Sequence, residues 1–216
     1  MLLNKTLITG ILINLTFIAG FCYGELSSNG QAEYDKMIST LKSSEKMELS
    51  FIRILNSPYT GAADTSIGKA SISGEQYSKI IIDDRVIIAR QDTVYDYSAK
   101  PNQMMISLSS HSGGFKELFI NEYFERYEAV VYVELYSDTV SFNLESKDED
   151  DDYIDVVLIA IKSGGSYLPV TLMFKDNLRR LVTWKFERID LSPSFPTDLF
   201  KVKIPPDCRI VDLTTQ

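Results

Sequence analysis

The residues best suited to chemistry in this chain stand in a few short stretches. His111 is the single histidine, and it lies in SSHSGG with Ser109, Ser110 and Ser112 around it. That neighbourhood raises the question of a serine–histidine hydrolase. No Gly-x-Ser-x-Gly elbow occurs, and a triad converges from separate elements rather than from neighbours in sequence. His111 therefore reads as a solvated loop histidine. The acidic run KDEDDD at 147–152 offers clustered carboxylates to calcium, but it lacks the glycine and the spaced Asp/Asn/Glu pattern of a dedicated loop. It reads as a solvated hairpin tip whose charge repels edge pairing. Asp83-Asp84 and Asp190 have no neighbour suggesting acid–base work. GGF at 113–115 and SGG at 163–165 are too short to cradle phosphate and read as hinge and turn. The expectation is no catalytic residue, no metal ligand, no cofactor and no enzymatic activity.

What remains is apolar. Residues 88–106, IARQDTVYDYSAKPNQMMI, place Tyr95 and Tyr97 on one face of a strand and Met104 and Ile106 on one face of the next. Alternation of this kind is a sheet with one face turned to a core. The same residue types also suit a sheet that holds something greasy, since thioethers and rings adapt to flexible chains. Met104 and Met105 point to opposite faces, so at most one of them lines any cavity.

The elements that position these residues can be followed along the chain. Residues 1–24, MLLNKTLITGILINLTFIAGFCYG, carry one early lysine, an apolar stretch from Thr6 to Phe21 and small residues at the end. This is the pattern of a secretory signal peptide cut after Gly24, leaving 25–216 as one domain. An uncleaved anchor is the competing reading, because the apolar run approaches the ~17 residues that span a bilayer. Phe21 is too bulky to precede a lipidated Cys22. After cleavage Cys208 has no partner for an intrachain disulfide, so the domain must fold on its core alone. With 22 Lys and Arg against 30 Asp and Glu, the formal charge is −8, a field that disfavours nucleic acid. No second segment of spanning length follows, and the mature protein is expected to be soluble.

Within the domain, Tyr34, Met37, Ile38 and Leu41 recur at helical spacing over 31–43. Strand periodicity then runs through Met47, Leu49 and Phe51. Further strands are expected near 66–73, 76–82, 86–89, 93–97 and 103–107. Their links are too short for crossover helices, so neighbours must be antiparallel. Helical spacing of Phe115, Leu118 and Phe119 interrupts the sheet. Strands resume at 130–136, 139–144, 153–161, 167–174 and 180–189, and RIVDL forms a last edge strand after a proline-marked tail. About ten strands in one meander tend to curl rather than stay flat. Helices on one side of such a sheet enclose a cavity.

The stretch GKASISGEQYSKIIIDDRVIIARQDTVYDYSAKPNQMMIS resembles the middle of the outer-membrane lipoprotein carrier family, LolA, with Gly68, Tyr77, Thr93, Tyr95, Tyr97, Asn102 and Ile106 on the family's positions. At the end, Phe200, Pro205, Pro206, Val211 and Asp212 match the family's closing motif, with one spacing difference. The resemblance covers Gln31 to Leu213 and rests on the order of weak motifs. Arg90-Gln91 stands where an Asp-Gly turn is usual, and Tyr95 where tryptophan is usual. The arginine that tethers the lid of the proteobacterial carriers has no counterpart near Gly74–Lys79.

The resemblance implies a mainly β (α+β) fold: an incomplete antiparallel β-barrel, or curved half-barrel, covered by short helices that form a lid over a hydrophobic cavity. It implies a monomeric periplasmic carrier that shields acyl chains of lipoproteins or lipids between inner and outer membrane. An inner-membrane release complex and an outer-membrane acceptor are its implied partners, with no nucleic acid among them. Met37, Leu41, Leu118, Phe119 and Ile120 would line the cavity from the helices. Tyr77, Tyr95, Tyr97, Met104, Phe142 and Trp184 would line it from the sheet. The alternative is a non-transporting envelope module that docks a protein partner on the same fold.

Overall fold

The computed structural model describes residues 28–109, Lys116 and residues 119–214. The expected signal segment, Cys22, His111, the GGF stretch and Leu118 lie outside the described residues. Helix α1 spans Ser28–Ser43. Strands β1 (Lys46–Asn56), β2 (Ala63–Ser73), β3 (Tyr77–Ile82), β4 (Arg85–Arg90), β5 (Thr93–Ser98) and β6 (Gln103–Leu108) follow. A π-helical turn at Asn121–Glu125 leads into β7 (Tyr127–Tyr136), β8 (Thr139–Ser146), β9 (Ile154–Ser163), β10 (Ser166–Lys175), β11 (Leu181–Asp190) and β12 (Arg209–Asp212).

All of these strands join one 12-stranded sheet in the order β12-β6-β5-β4-β3-β2-β1-β11-β10-β9-β8-β7. Its edge strands do not pair with each other, so the sheet is curved and open, the expected half-barrel. Two features depart from a plain meander. The chain leaves β6 near one edge and resumes in β7 at the other. Strand β12 pairs with β6 in parallel, not antiparallel. It reaches that edge through the long irregular segment 191–208, and a connection of that length frees it from hairpin geometry.

Tight turns set the register of the hairpins. Asp83 and Gln91 take positive φ in the links after β3 and β4, and Gly164 and Gly165 (φ 57 and 87) make the expected turn after β9. The turn that resembles the family's Asp-Gly pair is thus Gln91-Asp92, one residue beyond Arg90. Bulges add twist. One lies at Ser50/Phe51 on the β1–β11 ladder, and another lies at Pro169/Thr171 on the β9–β10 ladder. Pro169 donates no backbone hydrogen bond, so an interior strand tolerates it where the ladder is already interrupted.

Helix α1 buries Tyr34, Met37, Ile38 and Leu41, the stripe that helical spacing marks. It packs on β7 and β10. Tyr34 meets Phe142 at 5.5 Å between ring centroids, and Gln31 Oε1 accepts a 2.6 Å hydrogen bond from the edge amide of Ala129. Tyr34 Oη donates to the Phe124 carbonyl at 2.8 Å and so ties α1 to the π-helical turn. Beyond the helix, β7 presents Val133, Leu135 and Tyr136 to solvent at the sheet edge. We expect Tyr34→Phe to lose about 1 kcal/mol of stability, because the Phe124 carbonyl is left buried without that donor. Chemical denaturation measures this; an unchanged midpoint would show that the tie is dispensable.

Candidate functional site

The inner face divides into two halves. Under α1 it is filled by protein: Met37 and Leu41 from the helix meet Phe142 and Leu158 from the sheet, all nearly inaccessible. From β11 across β1 to β4 the inner face carries Trp184 (β11), Leu49 and Phe51 (β1), Ile80 and Ile82 (β3) and Ile87 (β4). These side chains enclose a cavity of about 350 Å³, roofed by Phe119, Glu122 and Tyr123. The ladders bring them together. Leu49 pairs with Ala70, Ala70 with Ile80 and Ile80 with Ile87, so residues of one parity share one face.

Glycine shapes one wall. A Cβ at Gly68 would strike the ring of Phe51, which lies across the bare backbone of β2 and leans on Trp184 at 5.1 Å. The roof is aromatic and braced. Phe119 contacts Tyr123 at 5.5 Å and Phe186 at 6.1 Å, and Tyr123 covers Trp184 at 5.4 Å. Burial raises the Tyr123 phenol above its ordinary pKa, with the Glu122 charge adding to the effect and Arg53 opposing it. Among the described residues, Glu122 is the only ionisable side chain lining this cavity besides that phenol. Its carboxylate accepts from Tyr153 Oη at 3.2 Å and pairs with Arg126 at 3.4 Å. Burial also pushes the Tyr153 phenol up to about 12, helped by Tyr123 and Glu122. All these phenols stay neutral across the physiological range. Apart from Glu122 and the Tyr123 phenol, the described lining of the cavity is apolar.

The acidic hairpin end is more than a solvated tip. Asp151 is only 4% exposed at its side chain, and it pairs with Arg126 at 3.0 Å. Arg126 also lies 5.6 Å from the Tyr153 ring and immediately follows the π-helical turn, so the hairpin end anchors the roof.

The sequence-predicted residues fall into separate groups. Phe119 and Trp184 line the inner cavity. Ile120 is buried beside it in the core, while Met37, Leu41 and Phe142 belong to the filled half. Tyr95, Tyr97 and Met104 lie on the outer face, where the segment 191–208 covers them, and together they line a separate cavity of about 360 Å³. Tyr77 is also on that face, 5.9 Å from Phe200 of the same segment. The structure therefore does not bring these four to the helix side of the sheet. The physical reason is that β5 and β6 turn their apolar face outward, with Asp96, Ser98, Gln103 and Ser107 on the inner side, and alternation separates the faces without saying which is inner. Leu49, Ile80, Ile82 and Ile87 were missed because alternation does not fix which face is inner, although the spacing of Leu49 and Phe51 already placed those two on one face; Tyr123 stands on the π-helical turn, where strand alternation gives no signal.

Among the described residues no three His, Cys, Asp or Glu side chains gather to hold a metal ion, and no helix is long and apolar enough to cross a membrane.

No family model matches the sequence, and no curated protein does. Among solved structures, an uncharacterized conserved protein from Thermus thermophilus is similar over 85% of this chain and 99% of its own, at 11% identity and a TM-score of 0.55. A LolA superfamily protein from Nitrosomonas europaea matches 80% of this chain and 97% of its own, at 14% identity and a TM-score of 0.43. A putative outer membrane lipoprotein-sorting protein domain from Vibrio parahaemolyticus matches 80% and 96%, at 11% identity and a TM-score of 0.41. The Thermus likeness is a shared fold; the other two are looser superpositions. The curved open sheet with its helix inside is the half-barrel architecture that the resemblance to the LolA family implied.

The anchoring of the roof can be tested directly. Arg126→Ala leaves the Asp151 carboxylate nearly buried without its cation and should cost about 2 kcal/mol, discounted for the partial exposure of Arg126. Arg126→Lys should recover only part of this, since a single ammonium cannot reproduce the guanidinium fork. Urea unfolding reads both, and a loss within error of zero in Arg126→Ala would remove the anchoring role.

Proposed function

We propose that this chain is a periplasmic carrier that takes the acyl chains of lipoproteins, or of lipids, into the inner cavity and shuttles them from the inner to the outer membrane without catalysing a reaction. The observation that carries this reading is the cavity itself: about 350 Å³, walled by aliphatic and aromatic side chains. Ligand pockets span about 300–1,000 Å³, so this one sits at the small end and suits a single chain rather than a bundle of them. Each methylene buried there contributes about 0.8 kcal/mol, which binds an acyl tail without any directed polar contact. Release then needs movement of the roof or a competing receptor, because apolar walls carry no chemical switch. The apolar leader at 1–24 supports export, and the motif resemblance supports an inner-membrane donor and an outer-membrane acceptor.

One observation favours a second reading, a non-transporting envelope module that docks a protein partner. The α1 half of the inner face is filled by the protein's own side chains. In that case the small cavity is a packing remainder and holds no cargo.

Native mass spectrometry of protein purified from its envelope, with lipid analysis of what co-elutes, separates the two readings. The carrier should retain acyl-bearing molecules and bind a polarity-sensitive hydrophobic dye. Ile87→Trp fills the cavity from a half-buried position and should weaken dye binding about tenfold, with little change in melting temperature. A chain that elutes bare and binds no dye is not a carrier.

A further inference from the structure

The inner cavity does not end at a wall of backbone. Its boundary at one end is a single pair of rings, Tyr123 and Trp184, and both rings also line a second cavity of about 270 Å³ on their far side. That second compartment is polar, with Arg53, Asp152, Asp176, Asn177 and Arg180 among its lining. We infer that the two are compartments of one site for a single-chain amphiphile with an anionic head, the tail lying among Ile80, Ile82 and Ile87 and the carboxylate or phosphate lying on Arg53. This rests on the carrier reading and narrows its ligand.

Arg53 supplies the main reason. It sits on β1 directly opposite Trp184 on β11, with its guanidinium carbon 5.9 Å from the indole centroid. It is half-buried and has no ion pair among the described residues. The neighbouring cations differ. Arg180 pairs with Asp176 at 2.7 Å, and Arg126 pairs with Asp151 at 3.0 Å. Asp152, the remaining carboxylate of the compartment, is exposed to solvent. A half-buried guanidinium without a counter-ion can take a carboxylate or phosphate through two parallel hydrogen bonds.

Trp184 supplies an independent reason. Its indole Nε1 is buried and has no hydrogen-bond partner among the described residues. Buried indole donors nearly always find an acceptor, and a head group at the junction of the two compartments can supply one. The ring that covers Trp184 is Tyr123, which stands on the π-helical turn Asn121–Glu125. Such turns concentrate at functional positions because their looser hydrogen bonding allows local rearrangement. Rotation of Tyr123 away from Trp184 would uncover the indole and make the apolar and polar compartments continuous.

The test is a displacement assay with the same dye and three ligands of equal tail length: hexadecanoate, hexadecyl phosphate and hexadecanol, all below their aggregation concentrations. Native protein should hold the better of the two anions about tenfold more tightly than the alcohol, and added salt should narrow that gap. Whichever anion binds better identifies the head. In Arg53→Gln the anions should fall to within about twofold of the alcohol, with the alcohol's own affinity kept. Arg53→Lys should keep part of the preference and serves as the deciding variant if Arg53→Gln proves unfolded by its thermal melt. Equal binding of all three by native protein overturns the inference and leaves the carrier reading standing. A preference that survives in Arg53→Gln overturns it equally. Failure of all three ligands to bind overturns both.

Discussion

The structure depends on one constraint: an open sheet with two apolar faces must cover both of them with a single chain. Closure into a barrel would have hidden one face and removed the edges. Here neither happens. The inner face receives α1 and the π-helical turn, and the outer face of β3 to β6 receives the segment 191–208, which ends by pairing β12 along β6. Asn102 secures that crossing at its far end: its side-chain amide donates to the Pro206 carbonyl at 3.1 Å, and its own carbonyl accepts from the Arg209 amide at 2.9 Å. The covers on opposite faces leave a hollow beneath each, the inner one roofed by Phe119, Glu122 and Tyr123.

That distribution explains what could be read from sequence. The stripe Tyr34, Met37, Ile38 and Leu41 is buried as its spacing requires, because a helix offers one face to the core and the pattern has a single solution. The hairpins from β3 to β6 were also legible, since short polar links leave antiparallel neighbours as the only connection. Facing was not legible. Ile80 and Ile81 are adjacent isoleucines on opposite sides of the sheet, one 5% and the other 38% exposed, and nothing local distinguishes them. Tyr95 and Tyr97 do share a face with Met104 and Ile106 across the ladder, but that face belongs to the tail segment. The acidic run 147–152 misled for a related reason. A charge run reads as solvated until a distant residue, Arg126, supplies the counter-ion for one member.

The site is organised around Trp184. Phe51 and Tyr123 lean on it, Arg53 lies above it, and its indole donor has no acceptor among the described residues. A residue in that position separates dry surroundings from polar ones within the length of a single side chain. The π-helical turn that carries Tyr123 is held from below by Tyr34 and from the side by Arg126. The turn is therefore tied at Phe124 and Arg126, while the Tyr123 ring packs against Phe119, Phe174 and Trp184.

The seam between β1 and β11 has a kinetic consequence. It joins residues 46–56 to residues 181–190, whereas nearly every other ladder connects strands adjacent in sequence. Each flank of the sheet can zip up hairpin by hairpin, but the seam must close the longest loop in the molecule, which is the slow step in chains of this topology. Phe51, Arg53 and Trp184 all lie on the seam, so the hollow comes into existence only when the two flanks dock. Until that moment a newly made chain presents its greasy strands bare. Pulsed hydrogen exchange should find β3 to β6 protected before β1 and β11, and the reverse order would place nucleation at the seam instead.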